Sequence, residues 1–127
     1  MPREDLSQTI HAYLDAFARR DLDQCLEFYA ESSILNFQSG LYEGKPSIAD
    51  WHKDRFEVDL RVLTLDRMVV EDDSARVDVT VSSKRLQAWK IGSVSATIAL
   101  EFQDGKIKAV QFSPRLVNPI DLIRSSS

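Results

Sequence analysis

Residues 13–44, YLDAFARRDLDQCLEFYAESSILNFQSGLYEG, run in the order helix, one-turn break, helix, strand, tight turn. Upstream, Leu6 and Ile10 join Tyr13, Leu14 and Phe17 at helical spacing, which predicts a first amphipathic helix with a broad apolar stripe. Arg19 and Arg20 suit its electronegative end. Asp21 with Gln24 three residues on has the form of a capping box, opening a second helix that buries Leu22, Cys25, Leu26 and Tyr29. A short strand over Ile34–Phe37 and a turn around Gly40 and Gly44 follow. Pro46 fits the first turn of a third helix, on which Ile48, Trp51 or His52, Arg55 and Phe56 share a side. Helices laid in this order beside a curved sheet wall off a pocket.

Beyond residue 60 the pattern changes to strands. Residues 61–70 end at the acidic turn Glu71-Asp72-Asp73-Ser74, and a second run starts at Ala75. There Val77, Val79 and Val81 alternate with Arg76, Asp78, Thr80 and Ser82. Leu86–Ile91 continues that strand or bends away from it. Residues 93–102 alternate again, and Asp104-Gly105 forms a hairpin signal leading to a last strand through Ile107, Val110 and Phe112. Residues 114–127, with Pro114, Pro119 and three terminal serines, read as an irregular tail. The expectation is one α+β domain over 1–127, with its core over about 4–113: three helices against a curved antiparallel sheet.

Composition narrows the function classes. A net charge of −4 with interspersed signs gives no basic stripe, so neither nucleic acid nor an anionic membrane is an expected partner. The single Cys25 excludes an internal disulfide and a thiolate metal cluster. His11 and His52 share no ligand spacing, so no metal is expected, and with no glycine-rich phosphate loop or dinucleotide fingerprint no cofactor is expected either. No apolar run reaches the length of a membrane span, and the start MPRED is no signal peptide, which makes a cytoplasmic protein the expectation.

The break RRDLD (19–23), the turn YEGK (42–45) and FQDGKI (102–107) resemble the nuclear transport factor 2-like superfamily, nearest its SnoaL-like and ketosteroid-isomerase-like branch. The resemblance covers roughly residues 4–113. It implies a cone-shaped sheet wrapped round the helices, a pocket for a small hydrophobic molecule, and a homodimer through the outer sheet face. The isomerase pattern places its tyrosine on Tyr13, but its general base on Phe37 and its oxyanion acid on Ile98, neither of which moves a proton. The limonene-epoxide-hydrolase-like pattern matches Arg76-Val77-Asp78 and Asn36, while its phenol falls on Ile34 and its water-activating acid on Phe112.

From these matches Asp78 is the expected acid or base, Arg76 its orienting partner, and Tyr13 and Asn36 the hydrogen-bond donors. Pairing Met68 with Asp78 would set Asp66 across from Thr80, on the same face as Arg76. Phe17, Tyr29, Phe37, Trp51, Phe56, Asp66, Ile98 and Phe112 complete the expected pocket. Pattern alone sets Leu63, Leu65, Val69, Val77, Val79 and Val81 against the helices; the resemblance implies the reverse, with the polar face in the pocket. We follow the resemblance, and a sheet face so apolar would then need a second copy to cover it. Cys25 reads as a small core residue, and His11 and His52 as solvated helix positions, His52 or Trp51 alternatively entering the pocket mouth. Two functions follow from one pocket: acid–base isomerisation, cyclisation or hydrolysis of a hydrophobic substrate, or non-catalytic holding of an apolar ligand.

Overall fold

The structure, a computed structural model, describes residues 3–37 and 40–114. Its elements are α1 (Arg3–Ala18), α2 (Leu22–Glu27), β1 (Tyr29–Phe37), β2 (Gly40–Glu43), α3 (Gly44–Glu57), β3 (Arg61–Glu71), β4 (Ser74–Ser82), α4 (Lys84–Ala88), β5 (Val94–Gln103) and β6 (Lys106–Pro114). The expected tail therefore keeps Pro114 in β6, opposite Ala96, and lies otherwise outside the described residues.

Local chemistry sets the helix boundaries. The Asp21 carboxylate accepts from the Gln24 backbone N–H at 3.2 Å and starts α2. Phe28 closes that helix, so Tyr29 begins β1 instead of ending α2 as expected. Ser83 likewise accepts from the Leu86 N–H at 3.2 Å and starts α4, where the sequence left the path after β4 open.

The six strands order β2-β1-β6-β5-β4-β3. All neighbours are antiparallel except β1 and β6, which run parallel. Asp104 and Gly105 both take positive φ, 53° and 79°, as a tight hairpin of the twist-compatible hand requires. Leu6, Ile10, Tyr13 and Phe17 of α1 and Ile48, Trp51 and His52 of α3 are buried against one face of the sheet.

That face is the valine face, which reverses the expected facing. Val77 and Val79 are 0% and 1% exposed, while Arg76 stands on the opposite, outer face. Placing Arg76 and Asp78 under the helices would have cost several kcal/mol for each unpaired charge, whereas burying a valine gains about 1.5 kcal/mol or more. The expected aliphatic set is also split. Irregularities between Val62 and Thr64 and between Leu65 and Arg67 shift the alternation. Leu65 therefore points inward, while Leu63 and Val69 are 52% and 37% exposed. The same shifts put Arg67, not Met68, opposite Asp78.

Candidate functional site

One end of the space between helices and sheet is filled and the other is not. Trp51, Tyr29, Leu35 and Ile48 are fully buried in the packed part, Trp51 against Phe37 and Phe112. At the other end the inner positions are short side chains, Val79 and Val81 on β4 and Val94 and Ala96 on β5, which leave a cavity of about 340 Å³. Tyr13, Leu14 and Phe17 of α1 roof it, with Phe37, Ile98 and Phe112 along its wall. Its mouth carries Ser83, Arg85, Leu86 and Trp89, and Trp89 is 65% exposed.

Behind the roof lies a closed polar chain. His52 Nδ1 is 2.8 Å from the Ile48 carbonyl oxygen, which can only accept, so Nδ1 carries the proton and Nε2 accepts. The Tyr13 hydroxyl, 2.8 Å from Nε2, therefore donates to it and accepts from the Tyr29 hydroxyl at 2.7 Å. Burial pushes the His52 pKa down to about 4 and raises both tyrosines above the ordinary phenol value, with the neighbouring Tyr29 adding to the rise at Tyr13. All three groups are neutral at pH 7, and the Tyr13 proton points into the protein, away from the cavity.

Arg55 is the cavity's inner cation. Its guanidinium lies 4.7 Å from the Phe37 ring centroid and 5.8 Å from that of Trp51. Its Nε is buried with no hydrogen-bond partner among the described residues. Trp51, one turn earlier, stacks on Phe112 at 4.8 Å between centroids. No group of His, Cys, Asp and Glu among the described residues is placed to hold a metal ion, and no described helix is long and apolar enough to cross a membrane.

Comparison with known proteins gives this arrangement a family. The profile of the SnoaL-like domain matches residues 10–110, most of the chain. The chain belongs to the SnoaL-like domain family. No curated protein sequence matches it significantly. Among solved structures, this SnoaL-like domain resembles a candidate polyketide cyclase from Sinorhizobium meliloti (20% identity, TM-score 0.76, 89% of this chain and 100% of that one). It resembles a candidate ketosteroid isomerase from Kribbella flavida (18%, 0.77, 92% and 83%). A nuclear transport factor 2-like protein of unknown function from Cytophaga hutchinsonii is a third likeness (12%, 0.70, 93% and 94%). At such identities the likeness is one of fold. The superfamily and fold expected from the sequence hold.

Within the SnoaL-like domain the four expected catalytic residues do not converge. Tyr13 lines the cavity, whereas Asn36, Arg76 and Asp78 line a separate depression on the outer sheet face. Asp78 Oδ1 accepts from the Thr97 hydroxyl at 2.9 Å, and the Arg76 Nε stands 4.0 Å away. Asp66 lies outside too, accepting from Thr64 and Thr80 hydroxyls at 2.7 Å each.

Of the expected pocket residues, Phe17, Phe37, Ile98 and Phe112 line the cavity. Tyr29 and Trp51 pack fully buried beneath it, and the Phe56 ring packs 5.1 Å from that of Phe17 without lining it. His52 is neither solvated nor at the mouth but fully buried, whereas His11 is exposed. Cys25 is a core residue, its thiol pushed up to about 12 chiefly by burial. Arg55 and the α4 mouth were missed as site residues. Arg55 had a signal, one helical turn after the aromatic Trp51; α4 had Ser83 before a run of helix formers.

Proposed function

We propose that this domain holds a small apolar molecule in the inner cavity without transforming it. The lining carries the reading: among the described residues it contains no carboxylate, thiol or imidazole. Isomerisation, cyclisation and epoxide hydrolysis by acid–base chemistry all need a group that exchanges a proton near neutral pH. What remains is a mostly aliphatic and aromatic enclosure with a few polar groups, the usual make-up of a binding pocket. A second reading, acid–base turnover of a substrate like those of a cyclase or isomerase, has one observation in its favour. Tyr13 lines the cavity with Tyr29 behind it as a second donor. It would require Tyr13 to turn its proton from His52 to the ligand.

Titration with the neutral fluorophore N-phenyl-1-naphthylamine tests the binding reading. Saturable 1:1 binding is expected in the wild type, at least tenfold weaker binding in Ala96→Phe, whose added ring fills the cavity, and unchanged binding in Asp78→Asn. Absence of saturable binding, or equal binding in Ala96→Phe, overturns it. We also propose that a second copy covers the outer sheet face. Support comes from Ile34, Leu63 and Val69, which are 39%, 52% and 37% exposed there. The solution mass from small-angle scattering, with Leu63→Glu as the disrupting variant, tests that pairing.

A further inference from the structure

We propose that the molecule held in the inner cavity carries a carboxylate, and that Arg55 is the residue that binds it. The inference rests on the cavity being a binding site and adds the chemical class of the ligand. Three observations carry it.

The first is the charge of the lining. The chain has more acidic than basic residues, 20 against 16, yet the described cavity lining holds Arg55 and Arg85 and no acid. The cavity is thus locally positive in a negative protein. An apolar wall around two guanidinium groups raises the local preference for an anion, since low-dielectric surroundings strengthen the attraction.

The second is the state of Arg55 itself. Its Nε is sealed from solvent and finds no acceptor among the described residues. None of the ion pairs formed among them involves it. That nitrogen has lost water without gaining a partner, a cost proteins rarely carry in the absence of a function, while the rest of the half-buried side chain remains open to a ligand in the cavity.

The third is preorganisation. The Arg55 guanidinium carbon lies over the Phe37 ring, 4.7 Å from its centroid, and 5.8 Å from that of Trp51, so two aromatic rings restrict its movement. A guanidinium restricted by aromatic rings loses little further freedom when its planar fork binds a carboxylate. Arg85, exposed at the mouth, adds positive charge along the entrance.

Size limits the rest of the ligand. The 340 Å³ cavity has the volume of roughly eleven water molecules at ~30 Å³ each. An aromatic or medium-chain acid of on the order of ten to fifteen non-hydrogen atoms fits it, with its apolar body against Val79, Ala96 and Ile98.

The experiment compares 2-naphthylacetate with 2-naphthaleneethanol, two probes of nearly equal shape, by competition against N-phenyl-1-naphthylamine. The acid is expected to bind the wild type at least tenfold tighter than the alcohol. Arg55→Gln should remove that preference and leave the alcohol within about threefold of its wild-type affinity. Arg55→Lys, which keeps the charge but loses the fork, should retain part of the preference and serves if Arg55→Gln folds poorly. Equal affinity of acid and alcohol in the wild type overturns the carboxylate inference while leaving the apolar cavity standing. Preference lost in Arg85→Gln and kept in Arg55→Gln overturns the assignment to Arg55. Failure of the fluorophore and both probes to bind removes the cavity reading itself.

Discussion

Lowering the pH from 8 to 5 should cost this protein about 2 kcal/mol of stability through His52 alone. Burial holds its folded-state pKa at about 4, against an ordinary value of about 6.5 for the unfolded chain. Between those values the unfolded chain binds a proton that the native state excludes, so stability falls as pH drops from 6.5 towards 4. The full difference is worth about 3 kcal/mol at ~1.4 kcal/mol per unit, and about 2 kcal/mol of it is lost by pH 5. The penalty has a structural origin. Protonated Nε2 would meet the Tyr13 oxygen as a second donor, and Nδ1 is already committed to the Ile48 carbonyl. Urea unfolding of wild type and His52→Gln at pH 8 and pH 5 measures it. Carboxylates titrate in both proteins, so the difference between them isolates His52. With a slope of ~2 kcal/mol per molar urea, the wild-type midpoint should fall by about 1 M more than that of the variant. Equal shifts in the two proteins, or an NMR titration placing the His52 midpoint at 6.5 or above, would refute the closed neutral chain of Tyr29, Tyr13 and His52.

Tyr13→Phe should cost about 2 kcal/mol in urea unfolding, because it strands the Tyr29 donor and the His52 acceptor in the core; a cost under about 0.5 kcal/mol would contradict the network. Val77→Asn should cost more than about 3 kcal/mol and at least about 2 kcal/mol more than Leu63→Asn, since one side chain is 0% and the other 52% exposed; the opposite ranking would restore the polar face to the interior. Gly105→Ala should cost about 1 kcal/mol in thermal unfolding, as its φ of 79° strains any side chain.

Much of the fold was legible because its signals are local. The stripe of Leu6, Ile10, Tyr13 and Phe17, the Asp21 cap and the Asp104-Gly105 turn each act within a few residues, and each does in the structure what its chemistry predicts. Less of the site was legible. Phe17, Phe37, Ile98 and Phe112 line the inner cavity, whereas Asn36, Arg76 and Asp78 line the outer depression. Alternation along β4 shows that two faces differ and says nothing about which one meets the helices. Resemblance settled that choice the wrong way.

By itself, then, the sequence determined the order of α1–α3 and of the later strands, the Asp21 cap, the Asp104-Gly105 turn and the family, all through signals of short range, whereas β2 and α4 emerged only in the structure. The tertiary structure alone decided three further things. It turned the valines inward, because only packing against α1 and α3 rewards their burial. Irregularities in β3 turned Leu63 and Val69 outward, which no alternation rule anticipates. Arg55 was brought to the cavity, and His52 to Tyr13 and Tyr29, across 39 and 23 residues of chain. Such meetings depend on where the helices cross the sheet, and that geometry is a property of the folded whole.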